Sequence, residues 1–398
     1  MSREAAGGRT PVEQQGETPE LAAVRRLAPE IRARAREYET ARRVPADLAR
    51  RLNEDGLFRL WIPTSLGGRE LPPVDTVPII EELAQADASV AWCVMIAITT
   101  SAFGGFMPTR GAEEVFCSDP YSIAAGAFAP TGKAIAVDGG YRVTGHWQWG
   151  SGIQNCQWAI GSCVISRSDH SPAVAHTKPE IRQVFLSADQ IDILDTWDVS
   201  GLRGTGSHDF QATDVFVPEH RSFTVVAPVV DTPLYRCTWF ATGAALTSAV
   251  PLGIARRAID EFTALARAKT PTYDPRSLAD SPRVHAWIGE AEAAVRSARA
   301  FLFDALAALW RQAHTGPVTL ALRRDLRLAA VNAAAQSAKA VDLMYTAAGG
   351  SAVHTSHPLQ RCFRDVHVIT QHVLVNPTVF EYCGRFFVRD DGPELPFF

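Results

Sequence analysis

The sequence has little that would staple a small or extracellular protein together. Its seven cysteines, Cys93, Cys117, Cys156, Cys163, Cys237, Cys362 and Cys383, are odd in number and nowhere stand in C-x-x-C spacing. That argues against both a disulfide framework and a zinc site, and leaves them as small apolar residues expected to be buried in a reducing compartment. Charge of one sign is also missing: 39 Lys and Arg face 43 Asp and Glu, a net charge of -4. So weak a field recruits neither nucleic acid nor an anionic membrane. No apolar run is expected to reach the roughly 18 residues of a membrane span. The first 18 residues lack the apolar centre of a signal peptide and read as a disordered leader, so a cytoplasmic location is expected. No G-x-G-x-x-G unit links a strand to a helix, which excludes a resident nicotinamide site, and there is no internal repeat.

What is present is a change of texture along 398 residues, 46% of them hydrophobic, enough for a large core. From about Thr18 to Asn53 apolar residues recur at helical spacing, with Pro45 suited to the first turn of a second helix. After Asp87 the stretch "ASVAWCVMIAITTSAFGGF" is almost wholly apolar, as a helix buried on all sides is. Between Ser122 and about Pro228 the runs become short, β-branched and aromatic, with an Asp-Gly-Gly turn in "KAIAVDGGYRVTGHWQWGSG". Beyond Leu234 long alanine-rich helical stretches return; Gly349 and Gly350 close one of them, and the next is expected to bend near Pro377. The expected fold is α+β, with an N-terminal helical domain over 19–120, a central β-domain over 121–230 and a helical bundle over 231–398.

Three segments in this order, "GAFAPTGKAIAVDGGYRVTGHWQWGSGIQNCQW", "GLRGTGSHDFQATDVFVPEHRSF" and "AAGGSAVHTSHPLQRCFRDVHVITQH", resemble the acyl-CoA dehydrogenase superfamily. Within it they are similar to the flavin-dependent monooxygenase branch, the oxygenase components of two-component systems. The resemblance runs over nearly the whole chain after about Leu21. It implies an acyl-CoA dehydrogenase-like fold with a β-barrel-like centre and a C-terminal four-helix bundle, and an isoalloxazine ring in the cleft between them, against the glycines of Gly201–Ser207. On "GHWQWGSG", Trp149 and Ser151 share parity and are expected on one face with Trp147 beside them. The resemblance makes Ser151 the leading candidate, its hydroxyl donating to flavin N5 or to a peroxide on the adjacent carbon. Phe128, Ala129, Gly152, Arg203, Gly349 and Gly350 are the further implied cofactor contacts. Arg283 or Arg256 is implied to meet flavin phosphate.

Two chemistries share this architecture. Counting on from Arg364 and Asp365, the place of the dehydrogenases' Tyr-Glu-Gly is filled by His372, Val373 and Leu374, and a valine removes no proton. The oxygenase branch keeps a histidine there. An imidazole near its ordinary pKa suits that branch, holding the distal oxygen of a C4a-hydroperoxide protonated. Asp365, two turns earlier, is expected to pair with Arg361 or Arg364. Phenol-hydroxylating members carry a second histidine on the buried N-terminal helix; here "WCVMIAITTS" offers Trp92, Thr99 and Thr100, and a threonine does not take up a phenolic proton. That favours an indole, an amine or another non-phenolic substrate. His354 and His357 lack partner ligands, so no metal is expected. "GLRGTGS" lacks the G-K-[ST] ending of a phosphate loop.

The function implied is a two-component flavin monooxygenase that takes diffusible reduced FMN or FAD from a separate reductase, uses O2, and assembles as a homotetramer. An FAD-dependent acyl-CoA dehydrogenase-like oxidoreductase and a non-catalytic scaffold of the same fold are the alternatives.

Overall fold

The computed structural model describes residues 17–166, 179–270 and 276–389; the expected leader falls outside this range up to residue 16. Helix α1 (Pro19–Ala41) starts at Thr18, whose hydroxyl accepts the Leu21 N–H, and buries Val24, Leu27, Ile31, Ala35 and Tyr38 on one stripe. A short α2 (Ala46–Glu54) follows Pro45. Helices α3 (Pro73–Ala86) and α4 (Ala88–Ser101) meet at Asp87, whose carboxylate accepts the N–H groups of Ser89 and Val90 at 3.0 and 3.1 Å. The segment Ala88–Gly105 corrects one expectation: its 18 residues have a mean hydropathy of 1.5, apolar enough for a membrane span, but 94% of the window is buried inside the fold. It serves as the central helix of the core. Helix α5 (Thr109–Phe116) leads into the sheet.

The strands are β1 (Ala124–Val137), β2 (Gly140–Gly150), β3 (Trp158–Ser166), β4 (Ile181–Ser187), β5 (Asp192–Leu194), β6 (His208–Pro218) and β7 (Ser222–Phe223). They form one sheet in the order β5-β6-β2-β1-β3-β4-β7. The β1–β2 hairpin turns at Asp138 and Gly139, and β1 runs parallel to β3. A second core, separate from that of the helices, lies under the sheet around Trp147, which is fully buried and stacked on Phe210 at 5.2 Å. Three glycines make room for this indole: a Cβ on Gly132, Gly145 or Gly161 would come within 2.4, 2.5 or 2.7 Å of the ring. Trp147 Nε1–H donates to the Ser162 carbonyl at 2.9 Å.

After α6 (Pro233–Arg236), the bundle consists of α7 (Trp239–Ala268), α8 (Pro282–Thr315), α9 (Leu320–Ala348) and α10 (Pro358–Ile369), with α11 (Thr378–Val388) against α9. The last two are distinct helices, separated by a turn over 370–377 where the sequence suggests a single bent one. Because α3 packs on α7, the N-terminal helices and the bundle share one continuous apolar core. All seven cysteines are free thiols. Cys117 is exposed; burial raises the pKa of each of the other six, to about 12 for Cys163, Cys237 and Cys362 and about 11 for Cys383.

Candidate active site

Ser151 stands where β2 ends. Gly150 pairs with His208 of β6, and the chain turns through Gly152 at φ +75°, where the Gly152 N–H donates to the Thr205 carbonyl at 2.9 Å. This turn delivers the Ser151 hydroxyl into a buried chain of hydrogen bonds. Trp92 Nε1–H, from α4, donates to Ser151 Oγ at 3.0 Å; the hydroxyls of Ser151 and Ser207 lie 2.7 Å apart, as do those of Ser207 and Thr205; Thr205 Oγ1–H donates to the Leu202 carbonyl at 2.7 Å. The two ends fix its direction, since an indole N–H only donates and a carbonyl only accepts. With the Thr205 proton on Leu202, Ser207 donates to Thr205 and Ser151 donates to Ser207. Ser151, expected as a donor to the ring, has its proton committed and presents a lone pair instead.

His372 lies just beyond α10 rather than within a helix, its N–H donating to the Ile369 carbonyl at 3.0 Å. Its ring meets Trp92 edge-on, 5.3 Å between centroids at 84°. The ring is not near its ordinary pKa: burial, with the charge of Arg327, pushes it down to about 4. It is therefore neutral at pH 7. Because the Leu374 N–H donates to Nδ1 at 3.4 Å, the remaining proton sits on Nε2. His372 thus offers an N–H donor, while Ser151, also in contact with Trp92, offers an acceptor.

Asp365 does not pair as the sequence suggests. Its carboxylate accepts the Leu202 N–H at 2.6 Å, and burial pushes its pKa up to about 7 against the pull of that bond and of Arg361. Arg361 and Arg364 both reach Glu39 of α1, at 3.6 and 2.5 Å. The loop glycines have protein against them, not an open cleft. A Cβ on Gly201 would come 2.4 Å from the Arg364 carbonyl, and one on Gly204 would come 2.9 Å from Tyr38 Cβ. The loop is a clamp between α10, α1 and α4, which holds Thr205 and Ser207 in place.

Other sequence candidates separate. Trp149 and Ser151 do not share a face: the β2–β6 register slips between Trp147 and Gly150, Trp149 takes φ +68°, and its side chain is 67% exposed while Trp147 is buried. Phe128, Phe103 and Trp239 form a mutual cluster, Phe128 lying 5.4 Å from Phe103 and 4.9 Å from Trp239, which are themselves 4.9 Å apart, with Phe240 edge-on to Trp239 at 4.9 Å. This aromatic wall abuts α4 through Trp239 Nε1–H, which donates to the Thr99 carbonyl at 2.7 Å. The Thr99 hydroxyl turns back to the carbonyls of Met95 and Ile96, both at 3.0 Å, so it is not offered to a ligand; Thr100 is buried beside it. The pairing of β1 with β3 jumps from Ala127↔Gly161 to Gly132↔Cys163, and its pairing with β2 begins at Lys133, so residues 128–131, exposed Ala129 among them, stand outside both ladders.

Arg203 folds onto its own loop, donating to Asp198 at 3.2 Å and to the Val199 carbonyl at 2.7 Å. Arg256 is held by Glu292 and Asp260, both at 2.8 Å, and Arg283 lies exposed at the start of α8 over Trp287. Gly349 caps α9 at φ +57°; Gly350 lines an open groove of about 540 Å³ with Lys269, Ser351, His354 and His357. Among the described residues no cluster of His, Cys, Asp or Glu is arranged to hold a metal ion. Sequence reasoning missed Thr205, Ser207 and Trp239; the spaced hydroxyls of "GTGS" were the available signal for the first two.

The sequence patterns of the acyl-CoA dehydrogenase N-terminal and C-terminal domains match residues 20–115 and 245–377. The indole-3-acetate monooxygenase of Pseudomonas putida is 30% identical over 358 residues, 89% of this chain and 90% of that protein. The chain belongs to the acyl-CoA dehydrogenase superfamily. Within the superfamily it is a flavin-dependent monooxygenase, the oxygenase component that works with reduced flavin. The oxygenase subunit HsaA of Mycobacterium tuberculosis is 29% identical over 92% of this chain and 94% of its own. The structure of XiaF from a Streptomyces species, in complex with FADH2 and glycerol, superposes with a TM-score of 0.87 at 26% identity, covering 95% of this chain and 96% of that one.

Proposed function

We propose that the junction of Trp92, Ser151 and His372 holds the reactive edge of a reduced flavin, and that the wall of Phe128, Trp239 and Phe240 receives a fused aromatic, non-phenolic substrate of the indole type. One observation carries this reading: a neutral N–H donor and a committed acceptor flank the same buried tryptophan. The donor set suits a flavin, whose pyrimidine and central rings present alternating carbonyls and nitrogens. The backbone of residues 128–131, outside both ladders, supplies further polar groups beside it. The groove at Gly350, with Lys269 and two histidines, suits a phosphate-bearing tail, closed by a neighbouring copy in a homotetramer. Bound there, the reduced ring supplies the electrons that activate dioxygen.

The residues then do three things. His372, kept neutral because burial disfavours the imidazolium, directs its Nε2–H at the site as a hydrogen-bond donor and retains it, since a neutral imidazole is a very weak acid. Ser151 orients the ring edge by accepting from it. The apolar helix α4 and the aromatic wall exclude water from the reacting atoms. A phenol finds no base at Thr99, whereas an indole needs none, and the named activity of the Pseudomonas relative agrees with that preference.

The test combines the protein with reduced FMN or FAD, a separate reductase and 18O2. Indole-3-acetate and a simple phenol are compared by mass spectrometry of products. Label in the indole product is expected. His372→Ala should lower product per flavin oxidised by about a hundredfold, with hydrogen peroxide in its place; unchanged coupling would defeat the role given to the imidazole.

A further inference from the structure

The hydroxyl chain does more than hold Ser151 in place. It leaves Ser151 with one kind of hydrogen-bonding capacity. Trp92 occupies one of its lone pairs, Ser207 takes its proton, and what remains is a single acceptor site. The polarity is set two residues away, by Thr205 donating to the Leu202 carbonyl, and Leu202 is itself pinned in the left-handed region (φ +50°) by its N–H bond to Asp365.

We infer that Thr205 and Ser207 are positioning residues that select the oxidation state of the flavin. The inference rests on the placement of Ser151 at the ring edge proposed above. A reduced flavin carries hydrogen on the ring nitrogen N5, whereas the oxidised ring has a bare lone pair there. An acceptor-only hydroxyl makes a hydrogen bond with the first and meets the second lone pair to lone pair. The site therefore favours the cofactor in the form that arrives from a reductase and disfavours the form left after turnover. Making one hydrogen bond against leaving both groups unsatisfied corresponds to a discrimination of at least about tenfold.

The experiment is a pair of binding titrations, one with anaerobically reduced flavin and one with oxidised flavin, on the intact protein and four variants. Neither titration depends on turnover. In Ser207→Ala the Ser151 proton is released to point outward, and in Thr205→Val the Ser207 proton loses its acceptor and turns towards Ser151, again freeing the Ser151 proton. Both variants should shrink the ratio of oxidised to reduced Kd about tenfold, mainly through tighter binding of oxidised flavin. Ser207→Thr and Thr205→Ser keep the chain and should keep the ratio. The inference is overturned if the ratio is unchanged in Ser207→Ala and Thr205→Val, or if both forms weaken equally, which is the outcome of a merely structural role. Should one of these variants fail to fold, the other decides the matter alone. A wild-type protein that binds neither form would instead remove the placement of flavin at Ser151, a result distinct from wild-type discrimination that survives the substitutions.

Discussion

Gly161→Ala probes how tightly the sheet is built around Trp147. The new methyl would stand 2.7 Å from Cε2 of the indole, where ordinary contact begins at 3.4 Å. The ring has nowhere to go. Gly132 and Gly145 already lie against it so closely that their own Cβ atoms would fall at 2.4 and 2.5 Å, and Phe210 stacks on its face. Overpacking of this kind costs about 1–3 kcal/mol, and the lack of an escape route puts the expected value at the upper end. Trp147→Phe works in the opposite sense, leaving a void and taking the N–H from the Ser162 carbonyl, for about 2–3 kcal/mol. Combined, the two changes should cost ~1–2 kcal/mol less than their sum, because the void accommodates the methyl. The assay is a double-mutant cycle on urea unfolding midpoints at constant m-value. Strict additivity would refute the claim that the glycines exist to seat this ring.

Gly201→Ala should destabilise the fold by about 2–4 kcal/mol, since its methyl would collide with the Arg364 backbone and pull Leu202 off Asp365; a thermal midpoint within a degree of wild type would contradict it. Gly350→Ala, with nothing within 4 Å of its Cβ, should leave stability within ~0.5 kcal/mol while weakening flavin binding measurably in the same preparation. His372 and Asp365 predict opposite pH trends. The folded state resists protonating His372 down to about pH 4, so its contribution is complete above pH 6.5 and is lost as pH falls towards 4; His372→Gln should flatten the acid limb of stability against pH. Asp365 holds its proton up to about pH 7, so its contribution is present below about 3.8 and is lost as pH rises through 7; Asp365→Asn should flatten that limb, each slope being at most ~1.4 kcal/mol per pH unit.

Much of the scaffold was legible because local patterns and tertiary packing agree. The uniform apolarity after Asp87 marks a helix that is buried all round, and the Asp138–Gly139 turn falls between two strands as its composition suggests. The site was legible only as a set of names. Parity placed Trp149 with Ser151, but a register slip reverses the face of Trp149, and a bulge leaves no reliable mark in residue type. The glycines of "GLRGTG" announced a close approach without saying to what, and the answer is helix backbone and side chains distant in sequence. The neutral state of His372 follows from its burial, with a smaller contribution from the charge of Arg327, 45 residues earlier on α9, and neither is encoded in a local pattern. The polarity of Ser151 follows from which carbonyl Thr205 finds, and that is a property of the folded loop.

The thiols also bear on how long the enzyme lasts in service. An oxygenase that occasionally aborts its cycle leaks peroxide beside its own side chains, and peroxide attacks thiolate far faster than thiol. Six of the seven sulfurs are kept in the protonated, unreactive form by the apolar packing that stabilises the fold, which leaves Cys117 as the one at the surface. Oxidative wear should therefore begin at the exposed Cys117 and spare the other six thiols.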